Sequence, residues 1–296
     1  MPVTVARSPA RTAAGALGLL LLLAGCTGDP APAPAPAPPS ATAATAAPSP
    51  TSAGSSASPD AARVRSEGSV VRAGDLTLHV WPPLDDAAVT TGEDGDATLA
   101  APLPATDGTA AEVPAATFAA GEGLTLEALR DDTVVARDAA GRAVGGLTPP
   151  VLSGDAAGSG ARVRVLAGDD GTVTWSVAAP AGTSGTAAGG TVTGGTVTGT
   201  AAGAALGSAT WADRDDEGGR SLAVVPTGWG RAGGLAAEET LWSQLVTAVP
   251  EADAQNVHDQ LTCHLIGAPD KASWNLEPWR PDVGLLATLG ALCNPE

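Results

Sequence analysis

His264, Glu277 and Asp282 are the C-terminal side chains that could trade protons with a substrate, as acid and base in the hydrolysis of a glycan or a lipid ester. A His on an apolar helix stripe is more often a hydrogen-bonded core residue, and its expected partner here is a loop carbonyl or Glu277. Cys263 precedes His264, but neighbours on a helix point about 100° apart, poor geometry for a thiol and its base. His258 and His264 are six residues apart, roughly 240° around a helix, so they do not share a metal as an i, i+4 pair would. Asp213, Asp215, Glu217 and Gly218 imitate the first half of a calcium loop, yet Val224 stands where a bidentate Glu is needed, and a hairpin turn accounts for them. A Gly-x-Ser-x-Gly elbow, a phosphate loop before Lys271 and a His-Glu-x-x-His are all missing. No metal and no cofactor is expected. Trp274, Trp279 and Arg280 admit two readings: a loop that packs its own aromatics and stacks the guanidinium, or an exposed platform for a sugar ring or partner protein.

These residues fall in the last stretch of the chain, 208–296, which holds Trp211, Trp229, Trp242, Trp274 and Trp279. Ser208 to Arg214 and Arg220 to Pro226 flank an Asp-Asp-Glu-Gly-Gly turn and read as a hairpin. Leu241, Trp242, Leu245, Val246 and Val249 recur at helical spacing, with Pro250 as the stop. Glu251 to Ile266 reads as a second helix with the stripe Ala254, Val257, Leu261 and Leu265, on which His264 lies. The expected fold class is therefore a small α+β domain, preceded by a mainly β region.

At the other end, Arg7 and Arg11 precede an uncharged segment too short to span a bilayer, which closes with Leu23-Ala24-Gly25-Cys26. This is the pattern of a lipoprotein signal peptide, residues 1–25, and it resembles the bacterial lipobox, with Cys26 as the lipidated N-terminus of the mature chain. Two acyl chains at ~0.8 kcal/mol per buried methylene suffice for stable anchoring. The expected location is the outer face of the cytoplasmic membrane, with the membrane as a partner through the lipid. Residues 27–62 contain nine prolines among Ala, Ser and Thr and read as a stalk that cannot build a core. In polyproline II form it would reach about 110 Å. Once Cys26 is assigned to the lipid, Cys263 and Cys293 are the remaining pair in an exported chain and are expected to be disulfide-bonded.

Residues 63–180 read as an antiparallel, sandwich-like β region. In Leu76 to Trp81 the apolar residues alternate with Thr77 and His79, and Arg162 to Ala167 pairs with Thr172 to Ala178 across Gly168-Asp169-Asp170-Gly171. Thr133 to Arg137 and Arg142 to Gly146 form a further pair. Gly190 to Gly194 repeats as Gly195 to Gly199, both Gly-Thr-Val-Thr-Gly, so that 181–207 reads as a flexible joint, with a pair of edge strands as the competing reading. The chain is 44% hydrophobic but carries one Phe and no Tyr beside 38 Gly and 25 Pro, so its core must be Val, Leu and Ala with a few Trp. A net charge of -17 opposes nucleic-acid binding, since there is no basic stripe to neutralise phosphates.

Trp211, Arg220 to Pro226, Gly230-Arg231, Trp242, Asp259-Gln260, Cys263-His264, the run Trp274 to Pro281 and Cys293-Asn294-Pro295 together resemble the actinobacterial domain of unknown function 2599. The likeness covers the last third of the chain and implies a domain boundary, with no catalytic role to transfer. Where that family commonly has an aromatic residue before Cys-His, this chain has Thr262. The reading that follows is a surface lipoprotein presenting a small binding or structural domain to a cell-wall glycan or an extracellular protein. The alternative is an envelope hydrolase using His264 and Glu277.

Overall fold

The computed structural model describes residues 58–104, 112–179, 192, 194–214, 218–232 and 234–296. The expected signal segment, Cys26 and most of the expected stalk lie outside them. The chain opens with α1 (Ala61–Glu67), β1 (Ser69–Ala73) and β2 (Leu76–Trp81), then β3 (Val89–Thr91), β4 (Ala97–Pro102), β5 (Glu112–Ala120) and β6 (Thr125–Ala128). Next come β7 (Val134–Arg137), β8 (Ala143–Leu147), β9 (Val151–Ser153), the short α2 (Asp155–Gly158), β10 (Arg162–Ala167), β11 (Val173–Ala178) and β12 (Thr196–Ala202). The C-terminal part is β13 (Leu206–Arg214), β14 (Gly219–Pro226), the short α3 (Gly228–Arg231), α4 (Leu235–Ala248), α5 (Gln255–Gly267), β15 (Trp274–Leu276) and α6 (Leu285–Gly290). Fold class follows expectation: antiparallel sheets in the middle and a small α+β region with one disulfide.

A five-stranded sheet, β1-β2-β5-β11-β10, faces a second sheet ordered β3-β4-β12-β8-β7-β6. Period-two alternation aims Leu76, Leu78, Val80, Phe118 and Trp175 of the first inward against Leu99, Val134, Leu147 and Val197 of the second. Phe118 and Trp175 meet edge to face with centroids 4.6 Å apart. The joint expected over 181–207 is corrected here: its second pentad opens β12, an interior strand between β4 and β8. Val197 and Ala201 face the core, and a Cβ on Gly199 would come within 2.7 Å of the Trp175 ring, so the glycine makes room for the indole. The first pentad lies mostly outside the described residues.

Both outer faces carry helices. Ala61 and Val64 of α1 pack on Ala119 and Trp81 of the first sheet, and the Asp60 carboxylate accepts the Arg63 N–H as N-cap. Among the described residues α1 and its cap at Asp60 thus lie at the end of the stretch read as stalk, 27–62. On the other side, Val135 and Ala143 share a core with Ala236, Leu241 and Leu245 of α4 and with Leu222, Val224, Leu261 and Leu276 beyond it. Helix α4 starts at Gly234, which has no capping side chain. Its first amides are taken instead by the β6–β7 turn, Leu235 N–H by the Asp131 carboxylate at 2.7 Å and Ala236 N–H by the Thr133 hydroxyl at 3.2 Å. Gln244 accepts from the amides of Ala205 and Leu206 and donates to the Gly203 carbonyl, fixing the crossing into β13. The second helix starts at Gln255 rather than Glu251, because Pro250–Ala252 forms a separate 3₁₀ turn.

Candidate functional site

The third sheet, β13-β14-β15, forms a floor on which α5 lies. Cys263 of α5 is bonded to Cys293, Cα to Cα 5.6 Å, so the segment carrying β15 and α6 is tied back to the helix. The loop into β15 is clamped by Arg231, which donates to the carbonyls of Pro269 at 3.0 Å and Ala272 at 2.7 Å. The same guanidinium lies 5.5 Å from the Trp274 ring centroid. Trp274 itself is fully buried and donates to the Ala268 carbonyl, so it stands behind the surface and takes no part in an exposed platform.

These constraints leave a polar cavity of about 510 Å³ lined by Arg214, His264, Lys271, Ser273, Asn275, Glu277, Arg280 and Asn294. His264 stacks nearly parallel to Trp274, 7° between planes, and its Nε2 is 3.3 Å from the Asn275 carbonyl, which assigns the proton to that nitrogen. Its Nδ1 is buried and, among the described residues, has no partner. Burial pushes the imidazole pKa below its ordinary value; the Asn275 carbonyl and Glu277 act in the opposite direction and Lys271 adds to the lowering. Glu277 is buried and bonded to Arg280, and Gln260 holds its backbone from both sides, accepting from Glu277 N–H at 2.8 Å and donating to its carbonyl at 3.1 Å. Arg280 also donates to the Pro295 carbonyl.

Next to the cavity, Trp211, Arg220, Glu251, Pro278 and Trp279 line an open groove of about 300 Å³. Arg220 stacks on Trp211 with 4.4 Å from guanidinium to centroid, and Arg280 stacks on Trp279 at 4.5 Å. A Cβ on Gly219 would fall 2.9 Å from Trp279 Cδ1, so the glycine pair of the hairpin turn seats this indole. Even so, Trp279 keeps 38% of its surface exposed.

Residues 206–296 match the family described as Protein of unknown function (DUF2599). Cavity and groove both lie inside the matched region. The chain is 41% identical over 83 residues to the uncharacterized proteins Mb0487 of Mycobacterium bovis and Rv0477 of Mycobacterium tuberculosis, covering 25% of this chain and 56% of each relative. It is 36% identical over 81 residues to the uncharacterized protein ML2452 of Mycobacterium leprae, covering 26% of this chain and 60% of that protein. The chain thus spans little more than half the length of these relatives. No solved structure matches it.

Within the DUF2599 region the structure brings His264, Glu277 and Arg280 together, with Trp274 behind the imidazole and Trp279 against the guanidinium. Asp282 lies away from the cavity lining, its carboxylate accepting from Gly284 N–H. The Cys263 thiol is spent in the disulfide. His258 packs on Trp242, with ring centroids 4.5 Å apart. Among the described residues, no group of three His, Cys, Asp or Glu is placed to hold a metal; Asp215 and Glu217 of the calcium-like turn lie outside them. Ser273 shares the cavity with His264 and Glu277, yet His264 is engaged by a main-chain carbonyl and Glu277 by Arg280. The mutual hydrogen bonds of a nucleophile, base and orienting acid are not formed. Thr262, at the family's aromatic position, donates to Glu238 at 2.6 Å and ties α5 to α4.

Trp211, Arg220 and Glu251 escaped the reading of the sequence as binding residues. A signal for two of them was present: in the hairpin register Trp211 faces Leu222 and Arg220 faces Asp213. That register puts the indole and the guanidinium on one face as a diagonal pair.

Proposed function

We propose that this chain is an exported, lipid-anchored envelope protein whose C-terminal region binds a glycan through the Trp211–Trp279 groove. The observation that carries the binding half is that groove: two indoles, each with a stacked guanidinium, line it beside the Glu251 carboxylate. A sugar ring offers an apolar C–H face and a rim of hydroxyls. Indoles suit the first, and Arg220 and Glu251 suit the second, which is the division of apolar walls and few polar groups that ligand sites employ. Leaving Trp279 more than a third exposed forgoes hydrophobic stabilisation that packing would provide, a cost that a ligand contact explains. The location half rests on the segment ending Leu23-Ala24-Gly25-Cys26 and on the Pro-rich stretch after it.

Sedimentation with isolated cell wall tests the groove. Trp211→Ala and Trp279→Ala should each weaken binding at least about tenfold, the usual reach of a central Trp anchor. Unchanged sedimentation of both variants would end the glycan reading. Cys26→Ser should move the protein out of the membrane fraction, and retention there would end the lipid anchor independently.

A further inference from the structure

Three side chains of α5, each a turn from the next, hold the main chain of the run Asn275 to Arg280. His264 Nε2 donates to the Asn275 carbonyl at 3.3 Å, and Gln260 exchanges two hydrogen bonds with the Glu277 main chain. One turn nearer the helix start, the Asn256 amide donates to the carbonyls of Pro278 at 3.0 Å and Arg280 at 2.8 Å, the residues on either side of Trp279. Both partners are acceptors, so the NH₂ end of that amide must face them and a carboxylate cannot take its place. The fit is one of lengths. Four residues of α-helix rise about 6 Å and two residues of extended chain span about 6.6 Å. Asn256, Gln260 and His264 therefore keep step with Trp279, Glu277 and Asn275 running the opposite way. β15 is the end strand of its sheet and pairs with β14 on one side. The α5 side chains stand along its other edge, where Gln260 makes the pair of bonds that a residue of an antiparallel neighbour would make.

Of these three, Asn256 is the one that reaches the groove. Trp279 projects from the chain between its two acceptors, lies against Gly218 and Gly219 and stacks with Arg280. The ring contacts bound the indole, and the Asn256 bonds fix the main chain that carries it. We propose that Asn256 is the positioning residue of the groove: through two main-chain carbonyls it keeps Trp279 ordered in the recess shared with Trp211 before a ligand arrives. A side chain already held in its bound position spares the complex the cost of ordering it, which is how a residue that touches no ligand raises affinity. The positioning stands on the α5 contacts alone, whereas its effect on affinity rests on the proposed glycan reading of the groove.

The test compares the full-length protein with its Asn256→Ala and Asn256→Asp variants, in neutral detergent, by NMR relaxation of the indole N–H groups, with the Trp279 resonance assigned from Trp279→Phe. In the parent, Trp279 should be as rigid as the buried Trp274, with an order parameter of ~0.85. In both variants the Trp279 value should fall toward ~0.6 while that of Trp274 stays in place. Sedimentation with isolated cell wall should show affinity reduced about three- to tenfold, the cost of ordering one large side chain on binding. An asparagine with a structural role alone would lower the urea midpoint and leave the Trp279 order of the folded protein as it is in the parent; that result with Asn256→Ala overturns the proposal. Equal cell-wall affinity of the parent and Asn256→Ala, where Trp279→Ala does weaken it, overturns the claim on binding. If Trp279→Ala binds cell wall as the parent does, the glycan reading fails instead, and the indole measurement still decides whether Asn256 positions Trp279.

Discussion

Replacing Arg280 by Ala strikes the most constrained contact of the site. The Glu277 side chain is 5% exposed and that of Arg280 13%. Gln260 grips the Glu277 backbone through both its amide and its carbonyl, so the residue is held in place when its partner is removed. Removing one partner of a buried ion pair while the other stays buried costs about 3–5 kcal/mol, much of it the unrepaid desolvation of the orphaned charge. Loss of the Arg280 contacts to the Pro295 carbonyl and the Trp279 ring belongs in the same total. With a urea m-value of about 2 kcal/mol/M, the unfolding midpoint should fall by roughly 1.5–2.5 M in equilibrium unfolding followed by tryptophan emission. The double variant Glu277→Leu with Arg280→Met leaves no buried charge behind and should recover most of that loss. A drop below about 1 kcal/mol for Arg280→Ala, or a double variant as unstable as the single, would refute the reasoning. Either result would free Glu277 for the acid–base role that its present partner denies it.

Two further outcomes follow from the same region. Cleaving the Cys263–Cys293 bridge, which closes a sequence separation of 30 residues, should cost ~3.7 kcal/mol in the chain-entropy model. Calorimetry with and without a phosphine reductant should then show a melting midpoint lower by about 7–15 °C, and an unmoved midpoint would contradict a structural role. His264 should titrate below 6.5 by imidazole NMR, because burial disfavours its cation in the folded state. The unfolded chain then binds the extra proton first, so the stabilisation is complete above the ordinary value and is lost as pH falls through the folded pKa. Urea midpoints from about pH 7.5 to about pH 5 should decline in the parent and less in His264→Asn; identical slopes would show that this imidazole is not responsible.

What the sequence discloses depends on how local the controlling contacts are. Leu76–Trp81 and the pairing of Arg162–Ala167 with Val173–Ala178 were legible because alternation and a tight turn are properties of neighbouring residues. Strand β12 was legible only as a competing edge strand, since Gly and Thr look like linker until Trp175, on another sheet, is seen to occupy the space over Gly199. The start of α4 was hidden for the same reason: its caps come from Asp131 and Thr133, a hundred residues earlier. At the site, a loop carbonyl or Glu277 was the expected partner of His264, and the carbonyl of Asn275 in β15 stands there; of the expected platform residues, Trp274 is buried while Trp279 and Arg280 stack on each other at the groove. Trp274 and Trp279 bracket a strand and turn, and only the three-stranded register shows that the first faces the core and that Trp211 is the surface partner of the second.

The layer order bears on what the β region does. Helix α1 covers the outer face of the first sheet, where Ala61 N–H meets the Asp170 carboxylate at 2.6 Å and Arg65 donates to the Ala120 carbonyl. Helix α4 covers the outer face of the second sheet and carries the third on its far side. The outer face of the second sheet therefore shares a core with the DUF2599 region, through Val135, Ala143 and Ala202. The close approach is specific, since a Cβ on Gly146 would lie 3.2 Å from that of Ala236. Arg137 adds a bridge across the boundary, reaching Glu239 at 2.6 Å and Glu127 at 2.7 Å. A spacer would need none of this complementarity.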